Sequence, residues 1–105
     1  MKEKAIVCDI DDTIVAPAEK YKPIENVIDF LKQNSKDYKI IMLTARYADK
    51  MKDFTVEQLK DLGISYTQLI MESGTHENHH ETRSNEHAIY KTNEVRKLMA
   101  KYDVV

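Results

Sequence analysis

The hydrophobic positions along the chain form two kinds of pattern that alternate. Runs rich in apolar residues, too short for helices, suit strands that are buried on both faces of a sheet. They cover residues 4–10, 39–44 and 66–71. Apolar residues at helical spacing predict three helices between and after these runs. The helices cover residues 24–34, 51–62 and 88–102.

Alternating strands and helices predict an α/β fold with a parallel sheet and right-handed crossovers. We expect a Rossmann-like three-layer sandwich in a single domain over residues 1–105. Pro23 suits the first turn of the first helix, and Gly63 suits a left-handed cap after the second. Residues 72–83 lack periodicity and predict a loop, and residues 103–105 look like the start of a fourth strand.

Composition narrows the classes of function. With 105 residues and a net charge of −2, the chain lacks the basic excess on which non-specific nucleic-acid binding depends. The lone Cys8 lies in an apolar run and is predicted to be a small core residue. The sequence has neither a long apolar run for a membrane span nor a secretory signal, so we expect a cytoplasmic protein.

Polar side chains cluster where the predicted strands end, and ligands of parallel α/β sheets bind at that edge. Asp9 and Asp11 lie two residues apart at the end of the first strand, so they share a face. Thr44 ends the second strand, and residues 45–46 would open the second helix, whose free N–H groups suit an anion. Lys91, early in the third predicted helix, could add a cation.

This set of side chains suits phosphoryl chemistry. A carboxylate can attack a phosphoryl group to form an aspartyl-phosphate, and a neighbouring acid can protonate the leaving oxygen and then activate water. Mg²⁺ would hold nucleophile and phosphate together, and Thr44 and Lys91 would offset the remaining charge. Simpler interpretations are a helix cap or solvated turn for the aspartates, a strand-end residue for Thr44 and a solvated helix residue for Lys91.

Three motifs resemble those of the haloacid dehalogenase (HAD) superfamily of phosphotransferases. "DIDDT", which begins at Asp9, resembles the first motif, and "IIMLT", which ends at Thr44, resembles the second. Tyr90 and Lys91 are similar to the third. Residues 40–72 look like capless phosphatases related to the 3′-phosphatase domain of polynucleotide kinase.

The resemblance implies a role for each residue of the cluster. Asp9 would be the nucleophile and Asp11 the general acid/base, and Asp9 and the Asp11 backbone carbonyl would bind Mg²⁺. The implied phosphate- and substrate-binding residues are Thr44, Ala45, Arg46 and Lys91. Asp12 stands where the family commonly has glycine.

The sequence departs from the family at the fourth motif, an acidic pair after a fourth strand that supplies further Mg²⁺ ligands. Residues 98–105 reach that strand without such a pair, so we expect a domain that is truncated before the motif, with a sheet order 3-2-1 and a short fourth strand. Weak Mg²⁺ binding and weak phosphatase activity of this chain would follow. The exposed edge of the first strand, residues 7–11, would favour a homodimer or completion by another segment.

All four histidines lie in or beside the predicted loop, at His76, His79, His80 and His87. We expect a mobile polar loop rather than a metal site, because no helical pattern, cysteine or ordered carboxylate completes one. The loop is too short for a cap domain, so the site should be open to a phosphorylated small molecule or a nucleic-acid phosphate end.

Three functions compete at this point. The first is a HAD-type Mg²⁺-dependent phosphatase, with activity like that of a polynucleotide 3′-phosphatase. The second is a catalytically impaired HAD-like fragment that binds phosphate, metal or a partner. The third, a response-regulator receiver, needs an aspartate at the end of the third strand, where this chain has Glu72, and is therefore disfavoured.

Overall fold

The computed structural model describes residues 2–72 and 83–104, and for residues 83–88 it describes the backbone alone. Strands and helices alternate along most of the chain. In chain order they are β1 (Lys4–Cys8), β2 (Val15–Ala16), β3 (Lys22–Pro23), α1 (Glu25–Asn34), β4 (Lys39–Tyr47), α2 (Ala48–Asp61), β5 (Gln68–Glu72), α3 (Arg83–Lys101) and β6 (Asp103–Val104).

Four strands form a sheet in the order β5-β4-β1-β6, and every neighbouring pair is parallel. In β1, Ala5 lies opposite Lys39 of β4 on one side and Val104 of β6 on the other. This arrangement confirms the predicted α/β class, the parallel sheet and the 3-2-1 order with a short fourth strand. Because β6 pairs with Lys4 and Ala5 alone, residues 6–8 of β1 have a strand partner only on the β4 side within the described parts of the chain.

Apolar side chains fill both faces of the sheet, as expected for strands covered on two sides. Along β4, Ile40 and Met42 belong to one core and Ile41 to the other, which follows from the two-residue period of a strand. The first core contains Ile28 and Leu31 from α1 and Leu59 from α2, and the second contains Leu98 from α3 and Tyr102. The molecule is therefore a three-layer sandwich with α1 and α2 on one face and α3 on the other.

Gly63 ends α2 as the sequence predicts. Its φ is +72°, its N–H donates to the Lys60 carbonyl at 3.0 Å, and the Ile64 N–H donates to Leu59 at 3.1 Å. These two bonds satisfy two of the last free carbonyls of the helix. The left-handed conformation of Gly63 is one that glycine adopts without steric cost.

The junction of β4 and α2 differs from the prediction. β4 continues past Thr44 to Tyr47, and α2 begins at Ala48, so residues 45–46 do not open a helix. The physical reason is visible in the backbone: the Arg46 N–H donates to Thr44 Oγ1 at 3.1 Å, and the pairing with β5 shifts register between Leu43 and Tyr47. The N-terminus of α2 therefore lies at Ala48, and the anion-binding roles of Thr44 and Ala45 stay predictions.

Two other boundaries also differ. Pro23 lies in β3, outside α1, and α3 begins at Arg83, several residues before the predicted start. β2 and β3 form a small antiparallel hairpin with Val15 opposite Pro23, which the sequence pattern does not reveal because each strand has only two residues. Residues 73–82 of the predicted loop lie outside the described residues. None of the described helices is long and apolar enough to cross a membrane.

Candidate active site

A cavity of about 600 Å³ lies at the carboxyl edge of the sheet, a volume within the range of ligand sites. It brings together all six residues that were predicted to act in catalysis or in phosphate binding. Its walls include Asp9, Asp11, Asp12, Thr44, Ala45, Arg46 and Lys91. The chain thus brings together side chains that are up to 82 positions apart, although the roles assigned to them stay predictions.

Asp9 follows β1 directly, and its carboxylate is held at both oxygens. Oδ1 accepts a hydrogen bond from the Ile10 N–H at 2.8 Å, and Oδ2 accepts one from Lys91 Nζ at 2.7 Å. The side chains of Asp9 and Lys91 are each 34% exposed, so the pair faces the cavity without being sealed from water. A carboxylate has about four acceptor sites, so both oxygens retain lone pairs for a ligand.

Lys91 reaches this position from α3, which packs on the opposite face of the sheet from α1 and α2. It lies near the middle of that helix, because α3 begins at Arg83, and the expectation that it lies early in the helix is wrong. The long lysine stem allows a cation from one layer of the sandwich to meet a carboxylate at the sheet edge.

Asp11 is paired with Arg46 through two parallel hydrogen bonds. Arg46 Nε donates to Oδ2 at 3.0 Å, and Nη2 donates to Oδ1 at 2.6 Å. The Arg46 side chain is 4% exposed and that of Asp11 is 38% exposed, so a buried cation holds a carboxylate that faces the cavity. Such a bidentate pair fixes both the position and the plane of the carboxylate.

Arg46 is itself held by α2. Its Nη1 donates to Thr55 Oγ1 at 3.0 Å and to Gln58 Oε1 at 2.9 Å. The guanidinium also lies 5.6 Å from the ring centroids of Tyr21 and Phe54. Four of its five N–H groups thus have an acceptor among the described residues, which leaves one N–H donor for the predicted substrate contact of Arg46.

The loop after Asp11 holds Asp12 in a left-handed backbone conformation. Asp12 has a φ of +62°, and its N–H donates to the Val15 carbonyl at 2.7 Å. The Ile10 carbonyl accepts from the N–H groups of Thr13 and Ile14. Aspartate is one of the few residues other than glycine that enter the left-handed region readily, so Asp12 satisfies the turn.

Thr44 is 1% exposed and lies on the wall of the cavity. Its Oγ1 accepts the Arg46 N–H, and within residues 2–72 and 83–104 no acceptor is recorded for its own proton. The hydroxyl can therefore donate to a ligand oxygen. Ala45, beside it, also lines the cavity.

Two groups close to the site have raised pKa values. Burial, with a smaller contribution from the Asp9 charge, raises the pKa of the Cys8 thiol to about 11, which agrees with the predicted core role. Burial, followed by Glu94 and Glu72, raises the pKa of Tyr90 well above its ordinary value. Both groups are therefore neutral at physiological pH.

Sequence reasoning missed the residues that support Arg46. Tyr21, Phe54, Thr55 and Gln58 carry no motif. Only the position of Gln58, three residues after Thr55 and four after Phe54 on α2, could have indicated that Gln58 is a neighbour of each of them. Tyr21 and Phe54 are in edge contact, with ring centroids 5.2 Å apart.

The hard oxygen donors of the cavity are the carboxylates of Asp9, Asp11 and Asp12. Within the described residues, no three side chains of histidine, cysteine, aspartate or glutamate form a group able to hold a metal. One or two carboxylates, completed by water and phosphate oxygens, are what Mg²⁺ commonly takes, so the donor set fits that ion. His76, His79 and His80 lie outside the described residues, as does the side chain of His87.

No protein-family model matches the chain, and no curated protein matches it in sequence. Its fold is similar to that of a chain in the solved structure of the Pnkp1/Rnl/Hen1 RNA repair complex, with a TM-score of 0.76 and 24% sequence identity. The match covers 98% of this chain and 34% of that chain, so this chain spans about a third of its neighbour's length. The likeness shows the fold, and that fold carries a cavity where the sequence predicts one.

Proposed function

We propose that this chain is a HAD-type phosphatase domain that hydrolyses phosphate monoesters through an aspartyl-phosphate on Asp9. The observation that carries the proposal is the pairing of two carboxylates with two cations in one cavity: Asp9 with Lys91 at 2.7 Å and Asp11 with Arg46 at 2.6 Å. The similarity to a chain of an RNA repair complex supports the choice of a nucleic-acid phosphate end as the substrate to test.

In the first step, an Asp9 oxygen forms a bond to phosphorus while the bond from phosphorus to the ester oxygen breaks. The leaving oxygen takes a proton from Asp11, which faces the same cavity and must first accept that proton from water, because both of its oxygens accept hydrogen bonds from Arg46. In the second step, water attacks the aspartyl-phosphate, Asp11 accepts its proton, and inorganic phosphate leaves with Asp9 restored.

The other residues of the cavity act on charge. Lys91, already at the Asp9 carboxylate, offsets the negative charge that gathers on the phosphoryl oxygens, and the Thr44 hydroxyl donates to one of them. Arg46 holds Asp11 in place. Mg²⁺ bound by Asp9 and the Asp11 backbone carbonyl would supply Lewis-acid screening between nucleophile and phosphate.

The decisive experiment measures phosphate release from p-nitrophenyl phosphate and from a 3′-phosphorylated oligonucleotide, with and without Mg²⁺. We expect release from the wild-type chain and its loss in Asp9→Asn, an exchange that keeps size and removes the nucleophile. Asp29→Asn, at an exposed position of α1, is the matched control and should keep wild-type activity.

Three outcomes separate the hypotheses. Equal release by wild type and Asp9→Asn would refute the proposal, because it would come from another site or a contaminant. Phosphate binding without release, weakened by Lys91→Met, would instead favour the phosphate-binding module. If a longer chain that includes a fourth acidic motif releases phosphate faster, then this domain uses Mg²⁺ ligands from outside residues 1–105.

A further inference from the structure

Beside the active-site cavity lies a second hollow, and the two share one side chain. Tyr21 lines both, whereas Phe54, Glu57 and Asp61 line only the second, whose volume is about 370 Å³. The part of a substrate that extends from a phosphate at Asp9 towards the second hollow would therefore contact the Tyr21 ring.

The rings of this hollow are exposed, although they touch each other. Tyr21 is 37% exposed and Phe54 is 43% exposed, with the edge contact between them at 5.2 Å. Aromatic side chains held at a surface in this way offer a face on which a planar group can stack.

The backbone that presents Tyr21 is in an uncommon conformation. Lys20 and Tyr21 have φ values of +56° and +61°, and neither is a residue that favours the left-handed region. Two hydrogen bonds hold them there: the Lys20 N–H donates to Pro17 at 3.2 Å, and the Tyr21 N–H donates to Ala16 at 2.9 Å. Successive positions of this kind persist where the surrounding structure fixes them, and they are frequent at binding sites.

Arg46 connects the rings to the carboxylate chemistry. Its guanidinium lies 5.6 Å from each ring centroid and also holds Asp11 through two hydrogen bonds. The two rings are therefore fixed with respect to Asp11, which is what a subsite needs if it is to align a substrate for reaction.

The charge of the hollow identifies its occupant. Among the described residues that line it, Glu57 and Asp61 are carboxylates and Lys20 is the one cation, while Arg46 behind the rings is paired with Asp11, so a chain of phosphates would be repelled there. A neutral ring whose amino groups donate hydrogen bonds suits these carboxylates, since carboxylates accept such bonds from the amino groups of bases.

We propose that this hollow is a base subsite: the nucleobase of a nucleotide phosphate stacks on one of the two rings, Tyr21 or Phe54, and meets the other at an edge, and Glu57 or Asp61 accepts a hydrogen bond from its exocyclic amino group. The proposal deepens the phosphatase function above and rests on it for the position of the phosphate. The substrate class is then a nucleotide, or a terminal nucleotide, whose base bears an amino group.

The first test compares kcat/KM for adenosine 3′-monophosphate and for ribose 3-phosphate, which has no base. We expect the wild-type ratio to be about 5- to 100-fold in favour of the nucleotide, because stacking of one base is worth that much. In Tyr21→Leu and Phe54→Leu the ratio should fall towards one. A disturbance of Arg46 by either substitution would affect both substrates alike, so it cancels in the ratio of their kcat/KM values.

Phe30→Leu is the matched control, because Phe30 is an aromatic residue on α1 that is 51% exposed and far from the motif residues in sequence. It should keep the wild-type ratio. A wild-type ratio near one, or a ratio that survives both Leu substitutions, would overturn the base subsite while leaving the phosphatase proposal intact.

The second test needs no catalysis, so it stays informative if no phosphate is released. Adenosine, purine riboside and ribose are titrated into the chain, and binding is followed through the NMR shifts of the Tyr21 ring. Adenosine should bind at least severalfold tighter than ribose, and tighter than purine riboside, which lacks the amino group. If adenosine binds no more tightly than ribose, the proposal of a base subsite is wrong. If adenosine and purine riboside bind equally well, then Glu57 and Asp61 do not accept a hydrogen bond from the amino group.

Discussion

Arg46 is the residue whose replacement tests the architecture of the site most directly. Arg46→Lys keeps the charge and most of the stem but removes the planar fork of donors. A single ammonium can reach one oxygen of Asp11, but it cannot also satisfy Thr55 and Gln58 in the present geometry. The substitution therefore separates the charge of Arg46 from its hydrogen-bonding pattern.

The expected loss follows from the contacts. Three of the four side-chain hydrogen bonds disappear, and at about 0.5–1.5 kcal/mol each they sum to roughly 1.5–4.5 kcal/mol. Re-solvation of Asp11, which is 38% exposed, offsets part of this, whereas Thr55 is fully buried and its hydroxyl loses a donor. The loss is a large share of the roughly 5–15 kcal/mol that stabilises a small domain.

The assay is equilibrium urea unfolding of wild type, Arg46→Lys and the control Lys39→Gln. Lys39 pairs with Glu3 at 3.5 Å on the surface, where the two side chains are 46% and 66% exposed, so its loss should change stability by less than about 0.5 kcal/mol. If Arg46→Lys stays within that same margin of wild type at an unchanged urea slope, then the guanidinium does not organise the site in solution.

Three further predictions concern other parts of the molecule. The pKa of the Cys8 thiol is about 11 in the native state against an ordinary value near 9, so the unfolded chain loses this proton first and stability should fall between pH 9 and pH 11, by up to about 2–3 kcal/mol. Cys8→Ala should show a shallower fall in unfolding titrations, and a native thiol that reacts with iodoacetamide at pH 8 as fast as free cysteine would contradict the raised pKa. Gly63→Ala should lower the unfolding free energy by about 1–2 kcal/mol, because an alanine at φ +72° is strained, while Gly63→Asn should cost less; equal stability of Gly63→Ala and wild type would count against the cap. Among the described residues, positions 6–8 of β1 have no strand partner on the side away from β4, and we expect this edge to recruit a second strand, so sedimentation at micromolar concentration should show a dimer; a monomer with fast amide exchange at these residues would contradict this.

Most of the sheet could be predicted from the sequence because its strands carry a strong signal. β1, β4 and β5 each contain three or four consecutive apolar residues, in runs too short for a helix, and Gly63 marks a helix end by a backbone requirement. The hairpin of β2 and β3 could not be predicted, since two residues per strand give no period.

The cluster of acidic and polar residues could be predicted because the carboxyl ends of parallel strands share one edge of the sheet. The role of Arg46 was not, because the sequence cannot show that its N–H groups meet Asp11 and two side chains of α2. The prediction that a helix begins directly after Thr44 was wrong, because β4 continues to Tyr47. Arg46 reaches the Asp11 carboxylate from the extended strand β4. The contact between Arg46 and Asp11 therefore outweighs any local preference of residues 45–46 for a helix.

The pairing of charges in the cavity explains why metal and phosphate should bind together. Asp9, Asp11 and Asp12 contribute three negative charges, and Lys91 and Arg46 contribute two positive charges, so the described residues of the cavity carry one net negative charge without a ligand. A phosphate dianion alone would add two further negative charges, and a divalent cation alone would meet two cations already in place. Bound together, the two ligands cancel each other's charge, so each should raise the affinity of the other by the same factor. Mg²⁺ binding that is weaker without phosphate than with it would therefore not by itself imply that the site is impaired.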